Sequence, residues 1–254
     1  MNICVFVCNK NYFDKFIDTY SQLLTNGKYT GPSCLVIGDD LKNNDLLNHE
    51  IIKNNDIIIK YFPEIKFSQD FFLINNKIIS DKRNITKKFQ WHKLHLFNIF
   101  FKRWNSVFYI DCGMTILNDI YPILNTIEKN TLLAHCDAHP NYKWKLNNQF
   151  CKENKDCYNK LINNYNLNVD YFQTGILLYD TQIIEKDTYI NILKLANNYP
   201  ISKTNEQGIL NLYFNCDKKI WKQIQLRNED TNFYHYCCID LKDTEYIIVK
   251  YKNW

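Results

Sequence analysis

The apolar run Val107–Ile110 stops at Asp111-Cys112-Gly113. A carboxylate directly after a buried strand is well placed to hold a metal–phosphate complex, because ligands of open α/β sheets bind outside the carboxyl ends of the strands. The same residue type also caps turns, so Asp111 alone decides nothing. Other apolar runs end in polar residues too: Asn9, Asn11 and Tyr12 after NICVFVC, Asp39-Asp40 after SCLVIG, His135 and Asp137 after TLLA, and Gln173-Thr174 ahead of GILLY. His135, Asp137 and His139 alternate and would share one strand face, which offers a metal-cluster reading. A substrate-lining strand end is the simpler one. His92 and His95, three apart on a predicted helix, read as core or interface histidines.

These residues need elements to position them. Asn2–Cys8 suits a buried strand, and Asn9-Lys10-Asn11 releases the chain at its end. Phe13, Phe16, Ile17, Tyr20 and Leu24 recur at helical spacing and predict an amphipathic helix over Tyr12–Leu24. Gly27–Pro32 breaks it, and Ser33–Gly38 predicts a second buried strand, giving the β-α-β opening of a parallel sheet with a right-handed crossover. A short helix and strand are expected around Leu41–Lys60, then an irregular aromatic stretch to about Arg83 and a helix over Phe89–Lys102. Strands follow at Val107–Ile110, Thr131–His135 and Gly175–Tyr179, helices at Thr188–Asn198 and Asn205–Phe214, and a last strand in IIVKY. The polar stretch 140–168 reads as a functional insertion with its own short helix. No repeat or linker divides the chain, so one α/β domain spanning 1–254 is expected.

Composition narrows the function classes. With 46% hydrophobic and 15% aromatic residues the 254-residue chain can bury a large core. Its 31 basic and 27 acidic residues form no basic block, which argues against a nucleic-acid binder. Ten cysteines include no CxxC pair and no zinc-site spacing. Several sit in apolar runs, so free thiols are expected, including the neighbours Cys237 and Cys238. No run approaches the ~20 apolar residues of a membrane span, and no signal peptide is evident. A cytoplasmic protein is the expectation. The abundance of Asn, Lys and Ile reads as AT-rich coding, as in an AT-rich protist or a large DNA virus, whose protein would sit in host cytoplasm or virion.

Several segments, in order, resemble glycosyltransferase family 8, its glycogenin-like members in particular. HKLHLFNIFFKRWNSVFYIDCGMTILNDIYPIL is similar to the family's Lys-bearing helix, apolar strand and Asp-x-Asp block. YFQTGILLY resembles its "FNSGV" strand, and NEQGILNLYF its "DQGLLN" helix. The resemblance spans residues 1 to about 214 and implies a GT-A type fold: a mixed, mostly parallel sheet flanked by helices, with a Rossmann-like nucleotide-binding half. It implies a retaining hexosyltransferase that moves a sugar from a nucleotide-sugar donor, UDP-linked in the simplest case, to a glycan or protein acceptor. By the same resemblance Asn11 and Tyr12 would meet the nucleotide and Lys93 the diphosphate. Asp111, Cys112 and Gly113 would form the donor-binding turn, with Asp111 touching ribose and metal. Gln173, Thr174 and Gly175 would line the donor sugar, Glu206 would bind its hydroxyls, and Gln207 would stand near the anomeric carbon.

Two departures bear on the cofactor. The second acid of Asp-x-Asp is Gly113, and the family's late metal-binding His is replaced by Tyr246 or Lys250 in the tail VKYKNW. Mn²⁺ and Mg²⁺ prefer several oxygen ligands, so the resemblance implies a metal held weakly or not at all. Lys250 or Lys252 is then a candidate to neutralise the diphosphate, while Asp119, Asp137 or His235 could supply a missing ligand. A catalytically impaired sugar-nucleotide or glycan-binding protein is the competing reading. A nucleotidyltransferase is a weaker one, since no Gly-rich phosphate loop is evident.

Overall fold

The structure is a computed structural model that describes residues 1–78, 88–137, 144–224, 235–240 and 246–251; within the last two stretches, side chains are described only for 247–249. A seven-stranded sheet has the order β3-β2-β1-β4-β7-β6-β8. Its strands are β1 (Asn2–Cys8), β2 (Ser33–Ile37), β3 (Ile58–Tyr61), β4 (Ser106–Ile110), β6 (Leu132–Cys136), β7 (Phe172–Asp180) and β8 (Trp221–Gln223). β1 pairs in parallel with β2 and β4, β2 with β3, and β6 with β8, whereas β7 runs antiparallel between β4 and β6. The sheet is therefore mixed and mostly parallel. A second, antiparallel sheet of β5 (Thr115–Ile116), β10 (Tyr246–Tyr251) and β9 (His235–Asp240) closes beside it.

Both faces of the central strands β2, β1, β4, β7 and β6 are covered, which is why β1, β2 and β4 read as apolar runs, whereas the edge strands β3 and β8 are only partly buried. Along β1, Ile3, Val5 and Val7 join one core while Cys4, Phe6 and Cys8 join the other. Helix α1 (Phe13–Thr25) packs Phe16 and Tyr20 edge-on to Phe6 in the second core. It begins where Asn9 Oδ1 accepts from Tyr12 N at 3.2 Å, so the turn formers that end β1 also launch the crossover helix. The β-α-β opening is as expected. Helix α2 (Glu50–Asn54) precedes β3, and α3 (Gln69–Asn75) follows it. The remaining helices are α4 (Tyr121–Leu124), α5 (Lys155–Asn164), α6 (Thr188–Asn198) and α7 (Glu206–Leu210). α7 continues into a π-helical turn over Asn211–Asp217.

Two expectations require correction. The stretch expected as a helix over Phe89–Lys102 is α-helical only at its start and then forms 3-10 turns at Trp91–Phe97 and Ile99–Arg103. Trp91, His92, Leu94, His95, Leu96 and Phe97 are all buried, so no solvent face sets an α-helical period. Asn98 is extended and caps the next turn through Phe100 N at 2.9 Å, which interrupts any continuous helix. The stretch read as irregular contains α3, whose Phe71 packs against Trp91 and Phe67.

Candidate active site

The carboxyl ends of β1, β4 and β6 meet the amino end of β7, and this convergence builds the site. Past the last β4–β7 pair, Asp111 N donates to Gly175 O at 2.8 Å, which sets the Asp111 carboxylate beside Thr174. On the far side of β7, Asp137 N donates to Tyr171 O at 2.9 Å, so the acids ending β4 and β6 flank the Gln173-Thr174-Gly175 step. The amino-terminal edge of β7 is gripped by α7 and the π-helical turn that continues it. Phe172 N donates to Asn211 Oδ1 and Asn211 Nδ2 to Phe172 O, at 2.9 and 2.8 Å. Two residues along, Thr174 N donates to Gln207 Oε1 at 3.2 Å. Side chains of α7 and of the turn that continues it thus meet β7 backbone groups that a neighbouring strand would otherwise pair.

Lys93 lies at the centre. Its Nζ is 2.8 Å from Asp111 Oδ1 and 3.3 Å from Glu206 Oε1, and it also reaches Thr174 O. Tyr109 donates to the same Asp111 oxygen. Glu206 Oε1 further accepts from Thr174 Oγ1 at 2.8 Å, whereas its Oε2 is buried without a hydrogen-bond partner among the described residues. Burial pushes the Glu206 carboxyl up, against the opposing pull of Lys93 and Thr174. For Lys93, burial is the largest influence and lowers its pKa, but Asp111 and Glu206 together outweigh it and the ammonium is held above its ordinary range. Asp137 is likewise raised by burial, offset in part by hydrogen bonds from Gln207 and Tyr171.

Gln207 is fixed on both ends of its amide. While Oε1 accepts from Thr174, Nε2 donates to Asp137 Oδ2 at 3.1 Å and to Gln149 Oε1 at 2.9 Å. Gln149, itself bonded to Thr204 Oγ1, was not a candidate from the sequence. It lies in the short 3-10 turn Leu146–Gln149 of the insertion, and the backbone bond from Lys203 N to Gln149 O at 2.8 Å ties that turn to the approach to α7.

The structure therefore brings together Lys93, Asp111, Thr174, Gly175, Glu206 and Gln207. Gln173 is buried against His135 instead, with Nε2 and Nδ1 3.5 Å apart. Asn11 is exposed and Tyr12 half-buried at the start of α1, on the β1 side of Asp111. Cys112 is buried, its Sγ 3.5 Å from Val7 O, so it packs the turn from beneath. The β10–β5 register pairs Val249 with Thr115 and carries residue 250 along the strand toward Met114; the side chain of Lys250, like those of Tyr246 and His235, lies outside the described residues, as do Lys252 and His139. A cavity of about 450 Å³ lies at the carboxyl ends of β1 and β2, lined by Asn9, Gly38, Asp39, Asp40 and the rings of Phe89 and Trp91. His92 and His95 take core roles, with Nε2 atoms facing Ile37 O and Pro63 O.

Among the described residues, the donor set that the resemblance implies for a divalent cation is incomplete. The Asp111 Oδ1 oxygen is already engaged by Lys93 and Tyr109, and Gly113 offers no carboxylate. Among the described residues no three His, Cys, Asp or Glu side chains are grouped to hold a metal. No described helix is long and apolar enough to cross a membrane.

Comparison with known proteins bears on the fold and the family. The galactosyltransferase LgtC, solved in complex with donor and acceptor sugar analogues, superposes with a TM-score of 0.58 at 16% identity over 89% of this chain and 73% of that one. The mannosyltransferase Ktr4p of S. cerevisiae gives 0.55 at 9% identity over 87% and 68%. At these identities the likeness shows the fold alone, a GT-A glycosyltransferase sheet. No curated protein sequence matches the chain. The family profile described as glycosyl transferase family 8, however, matches residues 3–238, nearly the whole chain, so the protein belongs to that family and is a glycosyltransferase.

Proposed function

We propose that the chain transfers a hexosyl group from a nucleotide-sugar donor, UDP-linked, to a hydroxyl of a glycan or protein acceptor, with retention of anomeric configuration. The single observation that supports it most is the Glu206-Gln207 pair at the start of α7. Glu206 Oε2 is buried without a partner among the described residues, and an unpaired carboxylate oxygen beside a fixed Gln207 amide suits the hydroxyls of a bound sugar. Asn11 and Tyr12 would meet the nucleotide, with the Tyr12 ring as a stacking face for the base. Lys93 would turn its ammonium from the carboxylates toward the diphosphate. Thr174 and Gly175 would line the sugar, and Asp111 would hold Lys93 and the ribose. The whole of 1–254 would act as one catalytic domain.

The bond from the anomeric carbon to the phosphate oxygen breaks, and the acceptor oxygen bonds to that carbon on the same face. The acceptor proton passes to the departing phosphate oxygen, so no strongly basic side chain is needed. Charge develops as in glycoside hydrolysis, through an oxocarbenium-like transition state. Gln207 Oε1 points its dipole toward that cationic carbon, while lysine charge stabilises the leaving diphosphate. Gly113, in place of a second acid, favours the alternative of a donor-binding protein without turnover. One assay separates the two. Release of nucleoside diphosphate from a panel of sugar nucleotides, with the product anomer read by NMR, supports the transferase reading. Donor binding with no release across several acceptors supports the other.

A further inference from the structure

The turn after Asp111 is docked on one face of α1. Gly113 N donates to Thr19 Oγ1 at 3.0 Å, and Thr19 Oγ1 donates to Met114 O at 2.9 Å. Further along, Ile116 N donates to Gln22 Oε1 and Asn26 Nδ2 to Ile116 O, both at 2.9 Å. Lys15 stands one helical turn before Thr19, so it shares that face, and its stem runs over Gly113. A Cβ at Gly113 would come 3.3 Å from Lys15 Cδ and 3.9 Å from Lys15 Cβ, and Gly113 sits at φ +89°, a conformation that disfavours any side chain there. The Lys15 stem thus packs against the position that the missing acid's side chain would start from. The Lys15 Nζ reaches 5.1 Å from the centre of the Tyr12 ring and belongs to the first turn of α1, adding its charge to the positive end of that helix.

Among the described side chains of the centre, a donor diphosphate entering between Tyr12 and Asp111 meets three carboxyl groups, those of Asp111, Glu206 and Asp137, and the ammonium of Lys93. Another positive charge is needed there. We propose that Lys15 supplies it: its ammonium takes the place of a divalent cation in binding the diphosphate of the donor, making donor binding independent of metal. This rests on the nucleotide-sugar reading above.

The test is calorimetric titration of the whole chain with UDP, with GDP and with uridine, in EDTA and in Mn²⁺. Lys15→Met keeps the stem over Gly113 and removes the charge, and Lys15→Arg restores the charge. UDP affinity is expected to agree within twofold between EDTA and Mn²⁺. Lys15→Met is expected to weaken UDP at least tenfold while uridine changes less than twofold, and Lys15→Arg to return UDP to within threefold of the original. A merely structural Lys15 would move UDP and uridine together. The inference is overturned if EDTA itself weakens UDP tenfold in the unaltered protein, or if Lys15→Met binds UDP within twofold. If neither UDP nor GDP binds the unaltered protein in either condition, the donor reading itself fails and this inference falls with it.

Discussion

Gln149 Oε1 accepts from Gln207 Nε2 at 2.9 Å, which joins the insertion between β6 and β7 to the helix that carries the proposed cation-stabilising amide. With Nε2 committed to Gln149 and Asp137, Gln207 cannot flip, and its Oε1 stays on the side of Thr174 N. Gln149→Ala removes one of the two acceptors that decide this orientation. Turnover is expected to fall about tenfold, roughly 1.4 kcal/mol in barrier, with the donor KM changed less than threefold. Gln149→Glu, which keeps the accepting oxygen, should retain most of the rate. Steady-state kinetics on the three proteins checks this; equal loss in both variants would assign Gln149 to acceptor binding instead.

Lys93 is the only ammonium paired with the Asp111 and Glu206 carboxylates among the described ion pairs. Removing one partner from a buried pair leaves an uncompensated charge and costs about 3–5 kcal/mol. Lys93→Met should therefore lower stability by that order and abolish turnover. Adding Glu206→Gln to it removes one of the stranded charges, so the double variant should regain part of the lost stability and none of the activity. Denaturant melts alongside the release assay measure both. A stable Lys93→Met protein would show that the trio carries little net energy.

Gln149 was not legible in the sequence because its meaning is tertiary: a polar residue in a polar stretch, 58 positions from the residue it orients. Lys15 was legible only as one residue of α1, since nothing linear connects it to Gly113. What did read correctly was what the hydrophobic pattern controls. α1 shows its buried face at Phe13, Phe16 and Tyr20, α6 occupies Thr188–Asn198 as the pattern implied, and β4 ends at Ile110 with Asp111 next. Pattern failed where burial is complete. Around Trp91–Phe97 both polar and apolar side chains are inside, so helical spacing there carried no information about the kind of helix. For α3, Ser68 ahead of Gln69-Asp70 was an available N-cap signal, hidden by the aromatic run that follows it.

His95 lies flat between Phe62 and Tyr189, with ring centres 4.4 and 5.1 Å away. Burial first, and then the neighbouring His92, push its pKa down to about 3. In the unfolded chain an ordinary histidine takes up its proton near 6.5, so its contribution to stability is fully present above that pH and is lost as pH falls toward 3. The whole loss is on the order of 5 kcal/mol, since each tenfold weakening of proton affinity is worth about 1.4 kcal/mol. His95→Phe preserves the stacking and removes the titration. Thermal melts from pH 7 to 4 should show a steeper decline for the unaltered protein than for this variant. Parallel curves would mean that His95 protonates in the fold without cost.

Gly208 follows Gln207 in α7, and its lack of a side chain is a packing requirement. A Cβ there would stand 2.5 Å from Ser202 Oγ and 3.2 Å from the ring of Phe150. Both neighbours are fully or nearly fully buried, and they face each other across a β-bridge, so neither can give way into solvent. Overpacking of this kind costs about 1–3 kcal/mol, more than the helix propensity that alanine adds at ~1 kcal/mol. Gly208→Ala is therefore expected to lower Tm by several degrees and to displace Gln207 from Thr174 N, reducing turnover. Ser202→Ala opens the closest contact, so the double variant should recover both properties in part. Recovery of Tm without turnover would separate the packing of α7 from the placement of its amide. A Gly208→Ala protein as stable as the original would show that α7 sits less tightly on the Phe150–Ser202 bridge than these distances require.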